Sequence, residues 1–137
     1  MADTIEFELV SPQRLMKSEP VEMVVVPGAE GDIGVLPGHS PLICTVRAGV
    51  IDIHEGGSVK ERIFVGGGFC EVSPERCTVL AEEAIATTDI DRSEADERVR
   101  AAEEALSDAD DDGRAEAERR LGIAQQMKAA ADGAGSG

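Results

Sequence analysis

Hydrophobic residues in this chain repeat with one period as far as about Ala86 and with another after Thr88. In the first part Ile5, Phe7 and Leu9 alternate with Glu6 and Glu8, and Val21, Met23 and Val25 alternate in the same way. Ile51 and Ile53 flank Asp52, Ile63 and Val65 flank Phe64, and residues 78–80 read as a short apolar strand. Side chains of a strand point alternately to its two faces, so a period of two predicts strands with one buried face. The turn-forming stretches SPQ, PGAEG, PGHSP, EGGS, GGG and SPE separate these runs. Many short strands with regular turns predict a β-sandwich or barrel. One stretch stands out: EGDIGVLPGHSPL, residues 30–42, is both apolar and heavily punctuated by glycine and proline, unlike a plain linker or a plain strand.

After the change, Ala95, Val99, Ala102 and Leu106 step by four, three and four, which predicts a helix with one apolar stripe. Asp91, with Glu94 three residues on, fits a cap, because its carboxylate accepts from otherwise unpaired amides of the first turn. SDADDDG, residues 107–113, makes a polar turn, and a second helix is expected over about 114–131 with the stripe Ala117, Leu121, Ala124 and Met127. Gly122 weakens it by about 1 kcal/mol relative to alanine. All six prolines lie outside the helical part. The predicted organisation is therefore a β domain over 1–86, a helical hairpin over 87–131 and a disordered tail over 132–137. Alanine-rich stripes bury little area, so at ~25 cal/mol per Å² such a hairpin gains little by itself. It is expected to lean on the β domain or on a partner, and to detach cheaply.

Charge and cysteine content narrow the function. The formal net charge is −15, a surface that repels phosphate and excludes nucleic acid as a partner and direct insertion into an anionic membrane. Three phenylalanines are the aromatic content, so the core must be aliphatic. Cys44, Cys70 and Cys77 are odd in number and form no Cys-x-x-Cys, which argues against a disulfide framework and for small buried hydrophobes. His39 and His54 are the two histidines, too few for a metal site. No apolar run approaches the ~18 residues of a membrane span. The first ten residues lack the basic region and apolar core of a signal peptide, which reads as cytosolic.

No pattern for catalysis emerges. Gly-x-Ser-x-Gly is missing, and neither histidine has a nucleophile partner at a recognisable spacing. VGGGF, residues 65–69, lacks the Gly-Lys-Ser/Thr of a phosphate loop and is expected to be a tight turn or bulge. DADDD, residues 108–112, lacks the glycine and distal glutamate spacing of a calcium loop. Glu82 and Glu83, adjacent on a strand, point to opposite faces and are poorly placed for acid/base work. No catalytic residue, cofactor or metal is expected.

Several stretches, in order, carry a resemblance: FELVSPQ (7–13), PGAEGDIGVLPGHSPLI (27–43), VGGGFCEV (65–72), CTVLAEEAI (77–85) and IDRSEADERVRAAEEAL (90–106). Together they make the chain resemble the epsilon-subunit family of F-type ATP synthases, whose mitochondrial counterpart is called delta. The Gly-x-x-Gly-x-x-Pro-Gly-His segment is the specific part. The resemblance covers nearly the whole chain and implies an α+β fold: an N-terminal flattened ten-stranded β-sandwich followed by a C-terminal antiparallel two-helix hairpin. It implies a non-catalytic rotor subunit of the central stalk, peripheral at the cytoplasmic face of the inner (plasma) membrane, which grips gamma on one face and the c-ring at one end. By the same resemblance Glu30 and Asp32 face the ring loops, and His39 lies near gamma and the ring.

In the family the hairpin can extend along gamma and inhibit ATP hydrolysis through basic residues that meet the beta (and alpha) subunits. Arg114, Arg119, Arg120 and Lys128 are the corresponding candidates. From Thr87 onward there are 14 acids and 7 bases, a balance that weakens an electrostatic brake. Some members bind ATP through Ile/Leu-Asp-x-x-Arg-Ala. Here Glu94 stands at the arginine position and Glu116 at a second cationic position, so no nucleotide binding is expected. The alternative reading is a free-standing β-sandwich adaptor or nucleotide-sensing module.

Overall fold

The expected alternation is plainest in β1 (Ile5–Val10), where Ile5, Phe7 and Leu9 are buried and the residues between them half-buried. The computed structural model describes residues 3–134. The strands after β1 are β2 (Leu15–Val21), β3 (Met23–Gly28), β4 (Gly31–Val35), β5 (Leu42–Glu55), β6 (Ser58–Val72), β7 (Arg76–Ala81) and β8 (Ala84–Ala86). A 3-10 turn at Thr87–Asp89 precedes α1 (Arg92–Asp108) and α2 (Arg114–Ala134). The chain divides into two compact units, Met1–Ala86 and Thr87–Gly137.

Two long strands organise the first unit. β5 and β6, of 14 and 15 residues, pair antiparallel from Leu42 opposite Val72 to Glu55 opposite Ser58. Their two ends belong to different layers. Gly68 to Val72 of β6 pairs with β7, which pairs parallel with β1, and β1 pairs with β2. Ile63 to Val65 of β6 pairs instead with β8, while the far end of β5 pairs with β3, and β3 with β4. Counted by layer, β5 and β6 each serve twice. The eight continuous strands thus give the ten segments of a sandwich, in the layer orders β2-β1-β7-β6-β5 and β4-β3-β5-β6-β8.

The triple glycine makes this crossing possible. It is not a turn between strands but a corner within β6, where Gly67 and Gly68 take φ of 110° and 147°. A Cβ on Gly68 would lie 2.0 Å from the Leu80 carbonyl oxygen, so only glycine lets β6 come this close to β7. Pro20 is tolerated because β2 is an edge strand, and Pro27 because the β3–β5 register shifts around it. The strand phase also resets at Glu22, between β2 and β3. Val24 and Val26 are therefore the fully buried residues of β3, rather than the expected alternation through Met23 and Val25.

Between the layers lies one aliphatic cluster with Phe7 as its aromatic member. Phe64 is buried outside that cluster, and Phe69 is 60% exposed. Cys70 and Cys77 are buried with sulfurs 3.8 Å apart, and Cys44 is half-buried opposite Cys70. The hydrogen-bonded Cys77 thiol and burial push the Cys70 thiol well above the ordinary range, and burial pushes Cys44 up. Cys70 and Cys77 fill space in the core as expected, while Cys44 is only half-buried. Lys17 on β2 meets Glu61 on β6 at 2.7 Å across the layers, and that carboxylate raises the Lys17 pKa.

In the second unit Asp91 caps α1, its Oδ1 accepting from the Glu94 amide at 3.1 Å. Asp110 closes the acidic turn by accepting from the Gly113 amide at 2.9 Å. The helices run antiparallel: Asp96 pairs with Lys128 at 3.2 Å and Arg98 reaches the Met127 sulfur at 3.6 Å. Ala95 is buried, and Val99, Ala102 and Leu106 are half-buried, as their stripe requires. On α2 the buried set is broader than the expected stripe and includes Ile123, Ala130 and Ala131. Asp132, Gly133 and Ala134 continue α2, which corrects the expected start of a disordered tail at 132. Residues 135–137 of that tail lie outside the described residues. Among the described residues no helix is long and apolar enough to cross a membrane.

Candidate functional site

The punctuated stretch divides into a hairpin tip, a strand and a loop. Gly28 pairs with Gly31 across the β3–β4 turn, so Ala29 and Glu30 form the tip. The Ala29 amide donates to the Thr45 carbonyl at 2.8 Å, tying the tip to β5. Glu30 is exposed, and its carboxylate has no partner among the described residues. The acidic turn expected at Glu30-Gly31-Asp32 is therefore one residue out: Gly31 and Asp32 already belong to β4, with Asp32 opposite Pro27.

Asp32 is also engaged. Arg47 of β5 contacts its Oδ1 at 2.6 Å through Nη2, and through Nη1 donates to the Gly28 carbonyl at 2.5 Å. Both partners of the ion pair are substantially exposed, so the charge term alone is worth less than about 1 kcal/mol. His39 lies on the loop between β4 and β5. Its Nδ1–H donates to the Ser40 carbonyl at 2.6 Å, and its amide donates to the Leu36 carbonyl. The same loop is pinned to the β6–β7 turn by the Gly38 amide on the Pro74 carbonyl at 2.8 Å.

Beside the tip is an open groove of about 560 Å³, lined by Glu30, Asp32, Ile33, Ile43, Cys44 and Phe69 among others. It continues onto the outer face of the first layer. There Phe69 (β6), Leu80 (β7), Val10 (β1) and Leu15 (β2) stand in register across four strands. At the spacing of adjacent strands this row spans about 14 Å. Phe69, Leu80 and Leu15 are each more than half exposed, and Ile43 in the neighbouring row is 75% exposed. A contiguous apolar row on the water side of a sheet is a candidate docking surface. Glu71, Thr78 and Glu8 supply its polar border, with Arg76 paired to Glu8 at 2.8 Å.

The candidate basic residues of the hairpin are mostly engaged within it. Arg119 and Arg120 both bind Glu116, at 3.0 and 3.1 Å, and Lys128 binds Asp96. Arg119 first and Arg120 second pull the Glu116 pKa down to about 2. Arg114 is exposed and has no ion pair among the described residues. Among the described residues no group of three His, Cys, Asp or Glu side chains could hold a metal ion.

Arg47, Phe69, Leu80, Ile43 and Leu15 are absent from the sequence-based candidates. Three of them were within reach. Once Cys77, Val79 and Ala81 are taken as the inward set, Leu80 must point out. The same phasing through Cys70 and Val72, and through Val46, turns Phe69 and Ile43 outward. Arg47 carries no local pattern, because its partners lie 15 and 19 residues away.

Residues 4–87 match the family model described as "ATP synthase, Delta/Epsilon chain, beta-sandwich domain". A relative from Paramagnetospirillum magneticum, named ATP synthase epsilon chain, is 56% identical over 131 residues, which is 96% of this chain and 98% of that protein. A relative of the same name from Parvibaculum lavamentivorans is 42% identical, covering 93% and 98%. Among solved structures, a chain of the Euglena gracilis mitochondrial ATP synthase (OSCP/F1/c-ring) superposes with a TM-score of 0.80 at 25% identity, covering 95% of this chain and 82% of that one.

Proposed function

This chain belongs to the ATP synthase delta/epsilon chain family, and from that membership we propose that it is a non-catalytic central-stalk subunit which couples c-ring rotation to the catalytic head through gamma. The observation that carries the reading is the row of exposed Phe69, Leu80 and Leu15 with half-buried Val10, on a sheet whose other face is already buried in a core. That row is the gamma-facing surface. The groove and the Glu30 tip at the end of the same sandwich meet the polar loops of the ring. A sandwich crossed by two continuous strands suits a torque-bearing adaptor, because its layers cannot slide without breaking β5 and β6. The subunit sits peripherally at the cytoplasmic membrane face and neither binds ATP nor turns over a substrate.

The test is co-purification with gamma. The double variant Phe69→Asp, Leu80→Asp replaces two exposed side chains and leaves the core intact. It should keep the circular dichroism of the parent and lose gamma in a pull-down. Retained gamma binding by a folded double variant would remove this surface from the interface.

If the hairpin is a brake on ATP hydrolysis, Arg114 is available as it stands, whereas the other three candidate cations must leave their present partners. Arg119 and Arg120 must give up Glu116, and Lys128 must give up Asp96. Deleting residues from Asp89 onward and measuring hydrolysis by the assembled complex decides this: activation supports the brake, and an unchanged rate leaves the hairpin without that role.

A further inference from the structure

Arg47 is unusual in this surface because one side chain on β5 reaches both arms of the β3–β4 hairpin. It sits on β5 where that strand passes between layers, in the register position facing Gly67, between the pairs Val46–Gly68 and Ala48–Gly66. Its guanidinium reaches across to the β3–β4 hairpin and splits its two nitrogens: Nη1 donates to the Gly28 carbonyl and Nη2 to the Asp32 carboxylate. Those acceptors stand on the two arms of the hairpin, on either side of the Ala29–Glu30 tip. A planar guanidinium can hold two acceptors at a fixed separation, whereas an ammonium on a flexible stem cannot fix both. The Ala29 amide on the Thr45 carbonyl is the second tie between the same tip and the same strand.

We propose that Arg47 is a positioning residue: it clamps both arms of the β3–β4 hairpin onto the corner of β5, takes up the Asp32 charge internally, and leaves Glu30 as the anion the tip offers to a partner. The functional side of this inference rests on the reading of that tip as the ring-facing contact; the clamp itself does not. A tip tied at both arms to the strand that spans both layers moves with the sandwich, so a push on Glu30 is delivered to the body of the protein. Asp32, assigned to the ring by resemblance, then acts as a strut, because its carboxylate already has a cation at 2.6 Å.

Amide hydrogen exchange by NMR on the full chain tests the clamp, with Arg47→Met, Asp32→Asn, the double variant and Arg47→Lys. Exchange at Ala29 and Gly31 should quicken about tenfold in Arg47→Met, the scale of a lost charge-assisted hydrogen bond. Arg47→Lys should fall between parent and Arg47→Met. Adding Asp32→Asn to Arg47→Met should change nothing further, since the two residues act as one unit. Unchanged exchange in Arg47→Met, or effects that simply add, would overturn the clamp. A separate arm reads ATP-driven proton pumping in reconstituted complexes carrying Glu30→Lys. Reduced pumping supports Glu30 as the partner-facing anion. Full pumping, alongside the expected exchange results, removes the docking role of the tip while the clamp stands.

Discussion

The two units of this chain bury different things. Inside the sandwich, residues far apart in sequence meet: Glu8 lies beside Thr78 and Leu42 beside Val72, and the core between the layers is built of Ile, Val and Leu around Phe7. In the second unit, the buried side chains among the described residues are alanines with one isoleucine and Thr87, and much of what is specific is local: a cap over three residues, an Asx closure over three, and ion pairs spaced by three and four. Large aliphatic burial gives stability, while local polar contacts at exposed positions give a few tenths of a kcal/mol each. One unit is held by a large aliphatic core. The other is held by contacts that can be exchanged at small cost.

The largest expected effect is in the sandwich core. Phe7→Ala empties the centre of the cluster and should cost about 3–5 kcal/mol in denaturant unfolding. Val99→Ala, half-buried in the helical stripe, should cost under about 1 kcal/mol, because alanine's better helix propensity offsets part of the lost burial. Equal losses at the two positions would break the comparison. Next comes the same substitution made in both units. Gly68→Ala places a methyl 2.0 Å from the Leu80 carbonyl oxygen on a backbone with φ of 147°, and should destabilise by at least about 2 kcal/mol. Gly122→Ala meets nothing within 4 Å in the interior of α2 and should stabilise that helix by up to about 1 kcal/mol. Thermal unfolding of the two variants should move in opposite directions; a shared direction would mean that the α2 interior at Gly122 is under a constraint of its own. Smaller again is Asp91→Ala, which removes the cap from the Glu94 amide and should cost about 1 kcal/mol. Hydrogen exchange should locate that loss in the first turn of α1 and leave β1 and β7 amides as slow as in the parent.

How far these features could be read from sequence follows the same division. The cap at Asp91, the polar turn at 107–113 and the α1 stripe were legible because the interacting residues lie within one or two turns of each other. The strands were legible as periods, but their phase was not always: the reset at Glu22 depends on how β2 turns into β3, and no local pattern marks it. The triple glycine was legible as a tight turn or bulge, yet its role as a corner within β6 needed the partner strands, since what excludes a side chain at Gly68 is the backbone of Leu80. The docking row lies between these cases. Its residues are apolar positions out of phase with the core, visible once the inward set is known. Arg47 was out of reach, since its meaning lies wholly in long-range geometry.

The smallest effect concerns Glu116, and it bears on how releasable the hairpin is. Its carboxylate accepts from Arg119 and Arg120 on the following turn, and those two guanidinium groups bring its pKa from an ordinary 4.5 down to about 2. The folded value is the depressed one, so the contribution is present above the unfolded value of 4.5 and is lost as pH falls through about 2. At neutral pH the pair is therefore formed, and its contribution declines as pH falls from 4.5 through about 2. The carboxyl carbon of Glu116, followed by NMR, should titrate with a midpoint near 2 at low salt and move upward as salt screens the exposed pair. A midpoint near 4.5 at low salt would mean that Glu116 does not hold the two arginines. If they are held, Glu116→Gln removes the carboxylate that Arg119 and Arg120 share without touching the buried alanines. It should then leave the folding of the sandwich unchanged and, where the hairpin is a brake, deepen the inhibition of ATP hydrolysis by the assembled complex. An unchanged hydrolysis rate in that variant would separate the ion pairs of the hairpin from any regulatory role.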